Sequence, residues 1–113
     1  GQCRSRPGRA RDHGLRMIRA IHFDDRTEFR ARRLPGSVHF TDPGTDRISY
    51  MWFFCPCGCG LQQRILVGHG FKPKADVSSW CWDGKSDSAT VTPSVNIQGH
   101  WHGWLRGGYW ESF

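Results

Sequence analysis

The stretch Ile48-Ser49-Tyr50-Met51-Trp52-Phe53-Phe54 runs directly into Cys55-Pro56-Cys57-Gly58-Cys59-Gly60 and emerges as Gln62-Gln63-Arg64-Ile65-Leu66-Val67. Two apolar, β-prone runs separated by a short turn read as the arms of a hairpin. The turn carries three cysteines in five residues. Gly58 and Gly60 supply the positive φ angles that a tight knuckle needs. A hairpin with thiols at its tip sets the expectation for the whole chain. It is a mostly β fold, a small zinc-stapled sandwich or half-open barrel of short antiparallel strands with little helix.

The flanking segments agree. Upstream, Ile18 to Phe23 alternates like a strand, and Asp24-Asp25 reads as a turn. Thr27 to Arg33 is charged and shows no clear apolar face. Leu34-Pro35-Gly36 is a turn signal ahead of a short strand, Ser37 to Phe40, and Thr41 to Asp46 is a loop. Downstream, Ser79-Trp80-Cys81-Trp82 is a short strand and Asp83-Gly84 a hairpin dipeptide. Ala89 to Thr92 is β-prone, with Pro93 limiting its pairing, and Ser94 to Ile97 continues extended. His100 to Leu105 is a strand, Arg106-Gly107-Gly108 a turn, and Tyr109-Trp110 a last strand. No segment offers a convincing amphipathic helix.

A chain of 113 residues suits one domain. A core this small gains from a staple such as a metal. The net charge of +6 is concentrated at one end. Residues 1–16 hold Arg4, Arg6, Arg9, Arg11 and Arg16 against Asp12, a net of +4, which leaves +2 for the other 97 residues. That segment is too poor in apolar residues to order itself. Residues 1–16 are therefore expected to be a disordered basic extension, with Met17 a natural start and residues 17–113 a single zinc-binding domain. A basic arm of this kind could touch nucleic acid, whereas the near-neutral body argues against nucleic acid as the main partner. No window reaches the roughly 20 apolar residues of a membrane span, and no leader-like apolar core is visible. The expectation is a cytoplasmic protein.

Five cysteines without a secretory signal point to metal more than to disulfides. Cys55, Cys57 and Cys59 are three ligand candidates. His100 and His102, two apart on the expected strand, would share a face and could both turn toward the knuckle. Zinc takes four ligands from cysteine sulfur and histidine nitrogen, so five candidates compete for four places. Cys81, between two tryptophans, reads as a small buried apolar residue. Cys3 reads as irrelevant to the site and His69 as exposed.

Several motifs together carry a family resemblance: Leu34 to Val38, Cys55 to Gly60, Trp82-Asp83-Gly84, Thr90-Val91-Thr92-Pro93-Ser94-Val95-Asn96, and His102 to Gly108. Residues 17–113 resemble a family of small, largely uncharacterised bacterial and phage proteins with a Cys-x-Cys-Gly-Cys-Gly knuckle, some encoded beside ubiquitin-like conjugation genes. Members resemble Cys-x-Ser-His in the last segment, where this chain has Gly99 at the cysteine position and Trp101 before His102. The resemblance implies that His100 supplies the ligand given elsewhere by that cysteine. His102 is then either a further ligand or free for another task.

Two functions follow. In the first, the zinc is structural and the domain acts by binding a protein partner or nucleic acid. In the alternative, Ser94 and His102 form the nucleophile–base pair of a deubiquitinase-like peptidase that processes a ubiquitin-like protein. Asp83, Asp87 and Asn96 are candidates for a third member. The binding reading leads at this level, and the peptidase stands as its alternative.

Overall fold

A computed structural model describes residues 17–112. Among the described residues, eight strands form a single curled sheet, a half-barrel, with one short helix. In chain order the elements are β1 (Met17–Arg19), α1 (Arg26–Arg32), β2 (Val38–Phe40), β3 (Ile48–Phe54), β4 (Gln62–His69), β5 (Ser79–Trp82), β6 (Val91–Ile97), β7 (Trp101–Arg106) and β8 (Tyr109–Ser112). The order across the sheet is β1-β8-β7-β6-β5-β4-β3-β2. Every neighbouring pair is antiparallel except β4 and β5, which run parallel. The mostly β expectation holds. The extension proposed for residues 1–16, Cys3 included, lies outside the described residues.

The hairpin around the knuckle is as long as its apolar arms allow. Ile48 pairs with Gly68 and Phe54 with Gln62. Alternation along β3 turns Ser49, Met51 and Phe53 inward and leaves Tyr50 and Trp52 half-buried on the other face. The inward set joins Val38, Val67, Val91, Val95, Leu105 and Trp110 in one core. Of the tryptophans, Trp82 and Trp110 are core residues, while Trp80 and Trp101 pack against it half-buried. Cys81 is buried, but it is disulfide-bonded and not simply the small apolar residue expected. His69 is not the loop residue expected: it ends β4, half-buried, with its ring 5.4 Å from that of Trp82.

The expected strand from Ile18 to Phe23 is divided between the two edges of the sheet. Met17 to Arg19 pairs with β8 at one edge. Past Ala20, Val38 N donates to Ile21 O at 2.9 Å and Phe23 N donates to Val38 O at 3.0 Å, so the same segment reaches β2 at the other edge. This crossing ties the two edges of the curled sheet together. Trp110 adds a second tie, donating from Nε1 to Gly36 O at 2.7 Å. A Cβ on Gly36 would meet that indole at 2.9 Å, and its φ of +76° independently favours glycine.

The helix was not foreseen. Asp25, expected only as part of a turn, caps it by accepting from Thr27 N at 2.9 Å, and Arg33 closes it in the left-handed region. Its apolar face is a single residue. Phe29 is 1% exposed and packs 4.8 Å from the Phe54 ring. One anchor in seven residues gives no periodicity to detect. No helix among the described residues is long and apolar enough to cross a membrane.

Candidate functional site

The knuckle is shaped by its backbone. Cys55 N donates to Leu61 O at 2.8 Å and Gly58 N to Cys55 O at 3.1 Å, while Gly58 and Gly60 adopt φ of +88° and +84°. From α1, Arg33 donates to Gly60 O at 3.0 Å and lies over the Phe54 ring. Cys55 is buried at the end of β3, and Cys57 and Cys59 face outward.

Across from the knuckle lies the β6–β7 connection. Its residue His100 is brought to the cysteines, with Nδ1 3.4 Å from Cys59 Sγ. Cys55 Sγ and Cys57 Sγ are 3.1 Å apart. The four ligand atoms of Cys55, Cys57, Cys59 and His100 all lie within 4.8 Å of one another. Tetrahedral bonds of about 2.3 Å to sulfur and about 2.0 Å to nitrogen place ligand atoms about 3.5–3.8 Å apart. The cluster is close to that spacing, and three thiols with one imidazole are a soft donor set. These residues can hold a metal ion.

Without a metal the thiols divide by environment. Burial pushes the Cys55 thiol up to about 12 from 9.0. The Cys55 thiol, by donating a hydrogen bond to Cys57, holds the Cys57 thiol below its ordinary value. A cation would reverse the first effect, because a coordinating thiol is deprotonated outright.

His102 is not in this group. The strand expected from His100 begins one residue later, at Trp101. His100 belongs to the turn: it donates from its backbone N to Ile97 O at 2.8 Å, and Gly99 takes φ +78°. The two histidines therefore do not share a face as residues two apart on one strand would. His102 Nε2 lies 3.3 Å from Ser94 Oγ on the neighbouring strand.

That approach has local causes. In the β6–β7 register Asn96 faces His102 and Val95 faces Gly103, and the register shifts between Val91 and Val95. Ser94 sits in the irregular stretch. Its carbonyl is held by Trp80, which donates from Nε1 at 3.1 Å. On the other side of β7, Gly103 allows close approach to β8, since a Cβ there would collide with the Glu111 carbonyl oxygen. Beyond it, Arg106 and Glu111 pair at 2.9 Å, and the Arg106 guanidinium lies over the Trp104 ring.

Of the three candidates for a further member, Asn96 is the one opposite His102. Asp83 instead accepts from Lys85 N and Thr90 N in the turn after β5. Asp87 lies 3.5 Å from His22 Nδ1. The contact of Trp80 with the Ser94 carbonyl has no signal in the sequence, where Trp80 is one more aromatic residue of a short strand.

No curated protein and no solved structure matches the chain. A family model does, described as bacterial ubiquitination-like system serine protease (BubE), and it matches residues 23–113. That span takes in α1, the knuckle, His100, Ser94 and His102, and all of the sheet except β1, so the chain belongs to the BubE family.

Proposed function

We propose that the chain is a peptidase of a bacterial ubiquitination-like system, with Ser94 as nucleophile and His102 as general base. The carrying observation is the 3.3 Å approach of Ser94 Oγ to His102 Nε2. That distance suits a nucleophile and its base before substrate arrives. The family description supports the same reading. The expectation of a domain that acts by binding alone gives no reason for this pair to meet.

The chemistry follows from the pair. Ser94 Oγ attacks the carbonyl carbon of the scissile amide while its proton passes to His102 Nε2. The resulting imidazolium then gives that proton to the departing amine, leaving an ester on Ser94. Water, deprotonated by His102, cleaves the ester and restores both groups. Asn96, which faces His102 in the β6–β7 register, is the candidate to orient the imidazole. The substrate is a ubiquitin-like protein joined through its carboxyl end.

The metal in this reading is zinc, held by Cys55, Cys57, Cys59 and His100. Three thiolates and an imidazole fill a tetrahedral site, which is the pattern of structural zinc. Its contribution is to folding, and no step of the reaction passes through it.

The test is cleavage of a fusion between a ubiquitin-like protein and a reporter. Ser94→Ala and His102→Ala should each lower the rate by about a thousandfold or more while each keeps one zinc per chain. Cleavage by Ser94→Ala at the parent rate would end the serine mechanism.

A further inference from the structure

β5 is much shorter than the space it occupies. It pairs with β4 from Leu66 to His69, and with β6 only at Val91 and Thr92. Yet β4 starts at Gln62 and β6 runs on to Ile97. Among the described residues, Gln62 to Ile65 and Val95 to Ile97 thus have no strand partner on the sides they turn toward each other. Where β5 does lie between them, β4 and β6 are two strand spacings apart, roughly 10 Å.

The space beyond the start of β5 is a cavity of about 620 Å³. Its walls include Phe53 and Val95 from the buried face of the sheet, and Tyr50 and Arg64 from the outer face. A single cavity can touch both faces only where the sheet has a slot. One end is closed by β5. The other is closed by His100 and the knuckle, where the two hairpin tips meet.

The slot offers both backbone and side-chain recognition. The Ser94 carbonyl points to the β5 side, since it accepts from Trp80. Backbone direction alternates along a strand, so two residues on the N–H and C=O of Asn96 point into the slot. At its rim, Leu61 and Val77 are 38% and 62% exposed. The lining holds the Arg64 guanidinium and no carboxylate. Ser94, at the β5 end, lies where a chain running along β6 would have to leave the sheet.

We infer that the slot takes one extended segment of the protein substrate as an inserted strand, continuing the line of β5. The segment pairs with β6 through Asn96, runs antiparallel to it as β5 does, and delivers its C-terminal end to Ser94. Backbone pairing supplies affinity, and the rim selects apolar side chains in an uncharged or acidic segment. A lysine or arginine beside Arg64 is disfavoured, as is a proline that would remove a pairing N–H. The placing of the scissile bond rests on the peptidase reading, but occupancy of the slot does not.

Hydrogen exchange on the Ser94→Ala protein separates the two. The probe is a ubiquitin-like protein of a bacterial ubiquitination-like system, with its C-terminal tail intact or deleted. The intact probe should slow exchange at residues 62–65 and 95–97, and the deleted one should not. Protection elsewhere, or protection independent of the tail, overturns the inference. In parallel, Val77→Trp and Gln98→Trp should crowd the slot. Cleavage of the tailed protein should fall at least about tenfold while hydrolysis of a small activated ester stays within about twofold. Equal cleavage by both variants and the parent also overturns it. Slot protection together with full activity of Ser94→Ala would sustain the slot and remove Ser94 as nucleophile.

Discussion

His100 and His102 are two residues apart and stand in different surroundings. His100 sits in a turn, facing three thiols contributed from the far side of the sheet, with Nδ1 3.4 Å from Cys59 Sγ. His102 sits in a strand, facing a hydroxyl from the strand beside it, with Nε2 3.3 Å from Ser94 Oγ. One imidazole joins two hairpins that share no strand pairing. The other makes a pair within a single hairpin. The start of β7 separates the two, because His100 is the last residue of the turn and the strand begins at Trp101. The chain can therefore lose one site and keep the other, which makes the division testable.

The sharpest way to break it is to delete each histidine. His102→Ala should lose about three orders of magnitude in cleavage and keep its zinc and its melting temperature. His100→Ala should lose zinc and fall in stability by several kcal/mol, since it leaves a thiol cluster without its fourth ligand. Metal analysis and thermal unfolding of the two variants would decide. If His102→Ala also releases the metal, the two sites are one.

Acid and alkali should sharpen the comparison next. In the stripped protein the Cys55 thiol is raised to about 12 from 9.0. Its folded state holds the proton more tightly than the unfolded chain. The stability it contributes is therefore full below pH 9 and is lost as pH climbs from there toward 12. The zinc-loaded protein should show the opposite slope, losing the ion and stability as acid protonates the ligands. Unfolding midpoints against pH, with and without chelator, should trend in opposite directions. Parallel trends would mean that the cysteines hold no metal.

Trp80→Phe carries the smallest effect. It removes the hydrogen bond to the Ser94 carbonyl and keeps a ring against the core. A loss of about 1 kcal/mol in stability is expected, with a several-fold fall in cleavage and unchanged zinc content. A fall in zinc content would tie this bond to the knuckle, not to Ser94.

Much of this was legible from residues. The β3–β4 arms alternate and carry their thiols at the tip, so the hairpin and the Cys55, Cys57, Cys59 set could be read directly. Ser94 and His102 could be nominated from residue type and from a resemblance, while their distance could not, because it depends on a register irregularity that no local pattern encodes. The assignment of His100 failed in detail for the opposite reason. Strand and turn propensities are nearly balanced at Gly99-His100-Trp101, and the boundary fell one residue away from where the alternation suggested. The helix was missed because Phe29 alone anchors it. The open half of β5 lay beyond reach as well, since a short strand in sequence says nothing about how far its neighbours run past it.

The pairing of Met17 with Glu111 across β1 and β8 has a bearing on how the molecule is made. The knuckle hairpin is local and can form once residue 69 has been synthesised. Its three thiols then wait for His100, and β1 waits longer still, for β8. Contacts of such long range close slowly. During synthesis the early hairpin exposes soft ligands and an open strand edge at the same time. The hazard that follows is mispairing or capture of the wrong ion in the nascent chain, and it ends only when the last strand arrives.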